Sequence, residues 1–119
     1  MTMPAERPDA SDAQLKKGVL EMCVLNMIRA EPTYGYDVMK NIKLYFPEVN
    51  ESTVYVILRR LHGDGGAEVT VKDGSGGPPR KYYKITEAGL RQLASHIASW
   101  RRVNEALEKM GINQDVSDI

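Results

Sequence analysis

Apolar residues recur at helical spacing through the first half of the chain and predict two helices there. The first begins at Ala13 and ends at Glu31-Pro32, because a residue before proline disfavours the α region. Its apolar residues cover most of its circumference, which indicates burial against its own domain on one side and a second subunit on the other. The second helix is predicted from Tyr34 to about Phe46, with Thr33 as its cap and Pro47 as its stop.

The third predicted helix runs from Asn50, a good N-cap residue, to Leu61. Val54, Leu58 and Leu61 recur at the i, i+4, i+7 spacing of a core-facing stripe. The opposite side carries hydroxyl and guanidinium groups, which suit base edges and phosphates in a major groove. The second and third predicted helices are short and joined by a tight connection, which predicts a helix-turn-helix. A solvated amphipathic helix that carries arginines is the alternative for this stretch.

A two-stranded hairpin is predicted directly after the third helix. Residues 68–72 alternate polar and β-branched side chains, residues 73–79 are rich in glycine and proline, and residues 80–85 return as the second strand. A hairpin in this position is the wing of a winged helix. The return strand interleaves Arg80, Lys81 and Lys84 with two tyrosines, a pattern that suits phosphate contact. An ordinary edge strand protected by lysines would look similar.

The last predicted helix begins at Thr86, its cap, and continues to about Met110, where Gly111 can end it. At the rise of an α-helix it spans roughly 35–40 Å. Such a helix is too long to bury its whole apolar stripe on so small a domain, so the stripe predicts dimerisation through a heptad-like seam. The predicted dimer-interface residues are Leu93, Ile97, Trp100, Val103, Leu107 and Met110.

The sequence therefore predicts an α+β, mostly α fold, a winged helix-turn-helix with one C-terminal dimerisation helix. Residues 1–12 form a disordered arm that reaches DNA or a partner subunit in one interpretation, and residues 112–119 form a disordered tail. The DNA-binding domain spans residues 13–85 and the dimerisation helix residues 86–111. The predicted DNA-contacting residues are Ser52, Thr53, Tyr55, Arg59, Arg60, Arg80, Lys81 and Lys84.

Composition narrows the class of protein. The 119 residues are 42% hydrophobic and 27% charged, with a formal net charge of zero, a globular balance that disfavours a non-specific nucleic-acid coat protein. The one cysteine, Cys23, lies in an apolar run and can build neither a disulfide nor a metal set within the chain. No signal peptide or membrane span is evident, so a cytoplasmic location without membrane contact is expected. Nothing resembles a nucleophile, a metal site or a cofactor loop, so neither enzyme activity nor a cofactor is predicted.

The chain resembles the PadR family of transcriptional regulators over residues 15–110. The resemblance rests on segments 34–38, 50–55 and 59–65, and on Gly77 with the junction 80–89 that joins the wing to the last helix. The short C-terminal part is similar to the small subfamily with a single terminal helix, which includes a lactococcal multidrug-binding repressor. Gly66 and Ala67 stand where the family has larger apolar residues, which predicts a looser start of the wing.

The resemblance implies a homodimer on a pseudo-palindromic double-stranded DNA operator and a pore between the subunits. Trp100 and its mate would stack on flat aromatic ligands there, and Leu15, Val19 and Ile97 would line the pore. Alternatively, Trp100 only fills the dimer seam. The leading hypothesis is a ligand-regulated repressor, and the alternative is a winged-helix module that binds protein without DNA binding.

Overall fold

Four helices and three short strands make up the part of the chain that the structure describes. This computed structural model describes residues 10–74 and 76–112, with side chains from residue 17 onward. The elements are α1 (Ala10–Met27), β1 (Thr33–Tyr34), α2 (Gly35–Tyr45), α3 (Glu51–Gly63), β2 (Ala67–Lys72), β3 (Arg80–Ile85) and α4 (Glu87–Lys109). The predicted winged-helix order is confirmed. Most of the predicted arm, and residues 113–119 of the predicted tail, lie outside the described residues.

The core is formed by the apolar stripes of the first three helices, closed by the wing. In α3, Val54, Leu58 and Leu61 have at most 1% of their surface exposed, which confirms the predicted stripe. Burial of an aliphatic side chain stabilises a fold by about 1.5–3 kcal/mol, so this stripe fixes the rotation of α3 about its axis. The opposite face of α3 is thereby held toward solvent. Other buried residues are Leu20, Val24, Leu25, Ile28, Val38, Met39, Ile42, Val49, Ile57, Ala67, Tyr83, Ile85 and Leu93.

The wing strands belong to an antiparallel sheet with the order β1-β3-β2. The edge strand β1 was not predicted; it pairs Thr33 with Tyr83 and Tyr34 with Tyr82. The prediction that Thr33 caps α2 is wrong, because this pairing holds Thr33 in an extended strand and Tyr34 occupies the N-cap position. The hydroxyl of Thr33 instead donates to the carbonyl oxygens of Met27 and Glu31 at 3.3 and 3.0 Å.

The junction between the wing and α4 is tightly packed. Thr86 caps α4 as predicted: its Oγ1 accepts from the Gly89 backbone N–H at 3.1 Å and donates to the Gly65 carbonyl at 2.6 Å. A Cβ at Gly89 would collide with the carbonyl oxygen of Gly66, which itself accepts from Thr86 N–H at 3.1 Å. Both Gly66 and Ala67 are buried, so the predicted loosening of the wing is not observed. Small residues are required because α4 packs directly on the backbone here.

The second half of α4 extends beyond the globular part, and the principal dimensions are 58 × 32 × 20 Å. Gly111, at φ 76°, follows the helix as predicted. Leu93 lies in the core of its own subunit with 3% exposure, which differs from its predicted place at a dimer interface; α1 already covers this part of α4. None of the helices in residues 10–74 and 76–112 is long and apolar enough to cross a membrane.

Candidate functional site

An open groove of about 210 Å³ lies between the start of α2, the outer face of α3 and strand β3 of the wing. It brings together three of the predicted DNA-contacting residues, Tyr55 and Arg59 from α3 and Lys81 from β3. Tyr34, Gly35, Tyr36 and Tyr83 complete its lining. Arg59 and Lys81 are exposed, so their charges face solvent beside a wall of phenol rings. We call this surface the tyrosine groove.

The first turn of α3 is exposed next to this groove. Ser52 and Thr53 are solvent-exposed, as their predicted role requires. Asn50 is the N-cap residue as predicted by position, but its side chain makes no capping hydrogen bond. The N-terminus of a helix carries partial positive charge and free N–H groups, which favour an anion such as phosphate.

Arg59 and Arg60 have different surroundings, although they are consecutive. Arg60 Nη2 lies 2.8 Å from Oε1 of Glu21 on α1, and its side chain is 33% exposed. Successive residues of a helix point about 100° apart, so Arg60 turns from the outer face toward α1. The prediction that groups Arg60 with the DNA contacts therefore differs from the structure, in which this guanidinium holds an intramolecular ion pair.

The predicted wing cations divide between two faces of β3, because side chains of a strand alternate. Lys81 shares the face of the buried Tyr83 and lines the tyrosine groove. Arg80 and Lys84 lie on the other face, where Arg80 stacks 5.2 Å from the ring centre of Tyr34 and Lys84 pairs in register with Glu68. The wing therefore offers one cation to the groove and two along its outer side.

Five further residues in or beside the groove were not among the predicted contacts. The rings of Tyr36, Tyr34 and Tyr82 follow one another at 6.0 and 5.6 Å between centroids. The Nζ atom of Lys40 lies 5.6 Å from the ring centroid of Tyr36, and the Nζ atom of Lys72 lies 4.5 Å from that of Tyr82. Tyr34 and Tyr36 stand in a segment that carried the family resemblance. Their place beside the wing depends on the pairing of β1 with β3, which no local pattern in the chain indicates.

Burial changes the acidity of two phenols that border the groove. Burial, followed by the nearby Glu51 carboxylate, raises the pKa of Tyr55 above its ordinary value. Burial also raises the pKa of Tyr83, and the Arg59 guanidinium opposes that rise. Both phenols therefore stay protonated well above neutral pH and remain hydrogen-bond donors.

A second groove, of about 200 Å³ and apolar in character, lies between α1 and the middle of α4. We call it the tryptophan groove; it is lined by Gly18, Val19, Met22, His96, Ser99, Trp100 and Val103. Val19 and Trp100 were predicted ligand contacts, and the Trp100 side chain is 47% exposed. Ile97 packs against the core instead, and the side chain of Leu15 lies outside the described part of α1.

The surroundings of His96 and Cys23 give both side chains a structural role. His96 Nε2 lies 2.7 Å from Oε2 of Glu21, so this residue, expected only on a polar face, joins α4 to α1. Burial raises the pKa of the half-buried Cys23 thiol, which disfavours the reactive thiolate. Among the described residues, no group of His, Cys, Asp and Glu side chains is arranged to hold a metal ion.

Comparison with known proteins gives a consistent result. The model of the Transcriptional regulator PadR-like family matches residues 24–95. A PadR-like transcriptional regulator from Bacillus cereus is 37% identical, with a TM-score of 0.72 over 86% of this chain and 99% of that chain. A PadR family transcriptional regulator from Eggerthella lenta is 30% identical, with a TM-score of 0.74 over 88% and 92%. An uncharacterised protein from Lysinibacillus sphaericus is 30% identical over 95 residues, 77% of this chain and 87% of that protein.

Proposed function

The chain belongs to the PadR-like family of transcriptional regulators, and on that premise we propose that it acts as a homodimeric repressor of a pseudo-palindromic operator. The observation that carries the proposal is the tyrosine groove, in which Tyr55 and Arg59 of α3 meet Lys81 of the wing. An exposed recognition helix flanked by a cationic wing matches the geometry of a major-groove reader with an adjoining phosphate clamp.

The proposed division of labour follows from the chemistry of each side chain. Ser52, Thr53 and Tyr55 present hydroxyl groups to base edges and nearby phosphates. Arg59 and Lys81 bind phosphates on one side, and Arg80 and Lys84 bind backbone along the outer face of the wing. Arg60 is left out of this set because Glu21 already occupies its guanidinium.

Dimerisation through α4 is supported by the apolar stripe that its own subunit leaves uncovered. Trp100, Val103, Leu107 and Met110 are 37–72% exposed. Contiguous apolar surface on a helix marks an interaction site, and a self-complementary contact with the same helix of a second copy would bury it. A two-fold dimer would present two copies of α3 to successive turns of one duplex.

Ligand regulation is supported by the tryptophan groove. Its indole face is half exposed and lies among apolar side chains, so a flat aromatic or cationic molecule would stack on Trp100 in the space between two subunits. This part of the proposal also rests on the resemblance of the short C-terminal part to the small multidrug-binding subfamily, which stays an expectation from the sequence. A ligand that binds one subunit spacing better than another would change the distance between the two copies of α3.

The DNA contacts are tested by the salt dependence of binding to a labelled duplex from the upstream region of the protein's own gene. Arg59→Ala and Lys81→Ala should each weaken binding and reduce the slope of log K against log salt concentration by about one unit. Lys109→Ala, which removes the same charge from the last turn of α4, is the matched control. Unchanged slopes in both groove variants would contradict the proposed phosphate contacts. If the wild-type protein does not shift this duplex in a gel, the alternative of a protein-binding module is favoured.

Stacking on Trp100 is tested with a planar cationic dye in the absence of DNA. Trp100 is the only tryptophan, so its fluorescence reports the groove directly and should be quenched on titration. Neither Trp100→Phe nor Trp100→Leu contains a tryptophan, so the fluorescence anisotropy of the dye measures their affinities. Trp100→Phe keeps an aromatic face and should retain part of the dye affinity, whereas Trp100→Leu keeps apolar volume alone and should lose most of it. Equal affinity for the two variants would indicate that the indole only fills space.

A further inference from the structure

The carboxylate of Glu21 lies where α1, α3 and α4 meet. Its Oε1 accepts a hydrogen bond from Arg60 Nη2 of α3 at 2.8 Å, and its Oε2 lies 2.7 Å from His96 Nε2 of α4. The carboxylate side chain is 19% exposed, so water competes weakly for its oxygens. One side chain of α1 therefore connects the recognition helix to the dimerisation helix.

One end of this connection lies in the tryptophan groove, and the other lies on α3 beside a residue that lines the tyrosine groove. Arg60 follows Arg59, which lines the tyrosine groove, in the same turn of α3. His96 is itself part of the wall of the tryptophan groove, one helical turn before Trp100. The path from the apolar groove to the DNA-facing helix thus consists of three side chains in direct contact.

Occupation of the tryptophan groove has a defined consequence at this connection. A molecule that packs on Trp100 also meets the imidazole of His96, because both side chains line the same space. Any shift of His96 either carries Glu21 with it or leaves Oε2 without its partner. Hydrogen bonds in a partly buried network depend on one another, so the Glu21–Arg60 contact changes as well. Arg60 sits on the rigid helix that presents Tyr55 and Arg59.

We propose that Glu21 is a positioning residue that couples the state of the tryptophan groove to the placement of the recognition helix. The inference rests on the proposed function, since it assumes that α3 binds DNA. Coupling between two sites is reciprocal in free energy, so DNA bound at α3 alters the surroundings of Trp100 as a ligand at Trp100 alters DNA affinity. The reciprocal direction permits a test that needs no knowledge of the natural ligand.

The experiment measures two signals in one sample of full-length protein and labelled duplex from its own upstream region. Anisotropy of the label reports DNA binding. Emission of Trp100, the only tryptophan in the chain, and its quenching by acrylamide report the groove. We expect saturating duplex to change the emission and the acrylamide accessibility of Trp100 in the wild-type protein.

Glu21→Gln is the central variant because it keeps side-chain shape and polarity and removes the charge that holds both partners. We expect it to bind the duplex with a Kd changed by about fivefold, the lower end of typical coupling between sites. Its Trp100 signal should lose most of the response to DNA. Glu105→Gln, an equal loss of charge at an exposed position on α4, should keep the wild-type response.

His96→Phe provides a second route to the same answer, and it serves where Glu21→Gln does not fold. It keeps a ring at this position but removes the hydrogen bond at the α4 end of the connection, and it should also uncouple Trp100 from DNA while duplex binding persists. Two results would overturn the inference: a Trp100 signal that ignores bound duplex in the wild-type protein, or an unaltered response in the variants. Absence of duplex binding by wild-type anisotropy would overturn the proposed function itself, and this inference with it.

Discussion

Helix α3 and the second half of α4 carry apolar stripes of similar spacing but bury them very differently. In α3, Val54, Leu58 and Leu61 are at most 1% exposed within the subunit. In α4, Trp100 and Val103 are 47% and 50% exposed. The outer face of α3 is polar and cationic, whereas the second half of α4 exposes an apolar stripe. The first surface suits a charged, hydrated partner, and the second suits an apolar one.

The difference lies in what covers each stripe. Helices α1 and α2 and the wing surround α3, so its stripe is satisfied inside one chain. In the first half of α4, Leu93 and Ile97 join the core, whereas the residues from Trp100 onward are exposed. Spacing alone identifies a stripe, but the position of the helix in the fold decides whether the cover comes from the same chain or from another molecule.

The largest expected effect is a loss of stability that differs between substitutions in the two halves of α4. Leu93→Ala should lower the free energy of unfolding by about 3 kcal/mol, because it leaves a cavity in the core. Leu107→Ala removes the same atoms from the projecting half, where the subunit covers them only in part. Its effect should depend on protein concentration, since it weakens association and leaves the isolated subunit nearly unchanged.

Chemical denaturation at two protein concentrations, together with sedimentation velocity, distinguishes these effects. Leu93→Ala should lower stability at both concentrations, and Leu107→Ala should shift the population toward monomer. If Leu107→Ala leaves sedimentation unchanged at micromolar protein, the stripe of α4 does not join two subunits.

The next effect concerns the junction that fixes the first half of α4. A methyl group at Gly89 has no space against the Gly66 carbonyl and the Ile85 side chain, so Gly89→Ala should destabilise the fold by about 1–3 kcal/mol. Gly63→Ala is the matched control in the last turn of α3, where nothing lies within 4 Å of the added methyl. The better helix propensity of alanine should there raise stability by up to about 1 kcal/mol. Thermal melts monitored by circular dichroism measure both, and equal shifts would contradict the close packing of α4 on the wing.

The smallest expected effect is the pH dependence of stability that Tyr83 contributes at the tyrosine groove. The raised pKa of Tyr83 means that the folded chain holds this proton more tightly than the unfolded chain does. The stabilisation is therefore complete below the ordinary value of 10.0 and is lost as the pH rises through the folded pKa. Tyr83→Phe should make the alkaline loss of stability shallower, whereas Tyr45→Phe, at a 76% exposed position, should not. Urea midpoints measured between neutral and alkaline pH test this, and parallel curves for wild type and Tyr83→Phe would count against it.

Local chemistry explains the parts of the fold that the sequence predicted. The stop before Pro47, the Thr86 cap, the terminal Gly111 and the stripe of α3 each depend on neighbours a few residues away. The predicted stop at Glu31-Pro32 is wrong, because α1 already ends at Met27. Strand β1 escaped prediction because two residues carry no periodicity and depend on pairing with β3, about fifty residues later. Thr33 was misassigned for the same reason, since pairing in the sheet took the place of helix capping.

The candidate site, like the fold, was predictable only where it depends on local spacing. Spacing indicated that Ser52, Tyr55 and Arg59 share the outer face of α3, and alternation indicated the basic character of the wing. The ion pair between Arg60 and Glu21 joins residues thirty-nine positions apart, and the bond between His96 and Glu21 spans seventy-five. Contacts at such separations follow from the packing of helices and not from any local pattern.

The sequence by itself determined the order of the four helices and the two wing strands, the inner and outer faces of α3 and the apolar stripe of α4, because each depends on local spacing. Tertiary structure alone decided that Glu21 is the partner of Arg60, which wing cation enters the tyrosine groove, and that Leu93 belongs to the core. These outcomes depend on which surfaces meet when the helices pack, and that arrangement is fixed by burial over the whole domain.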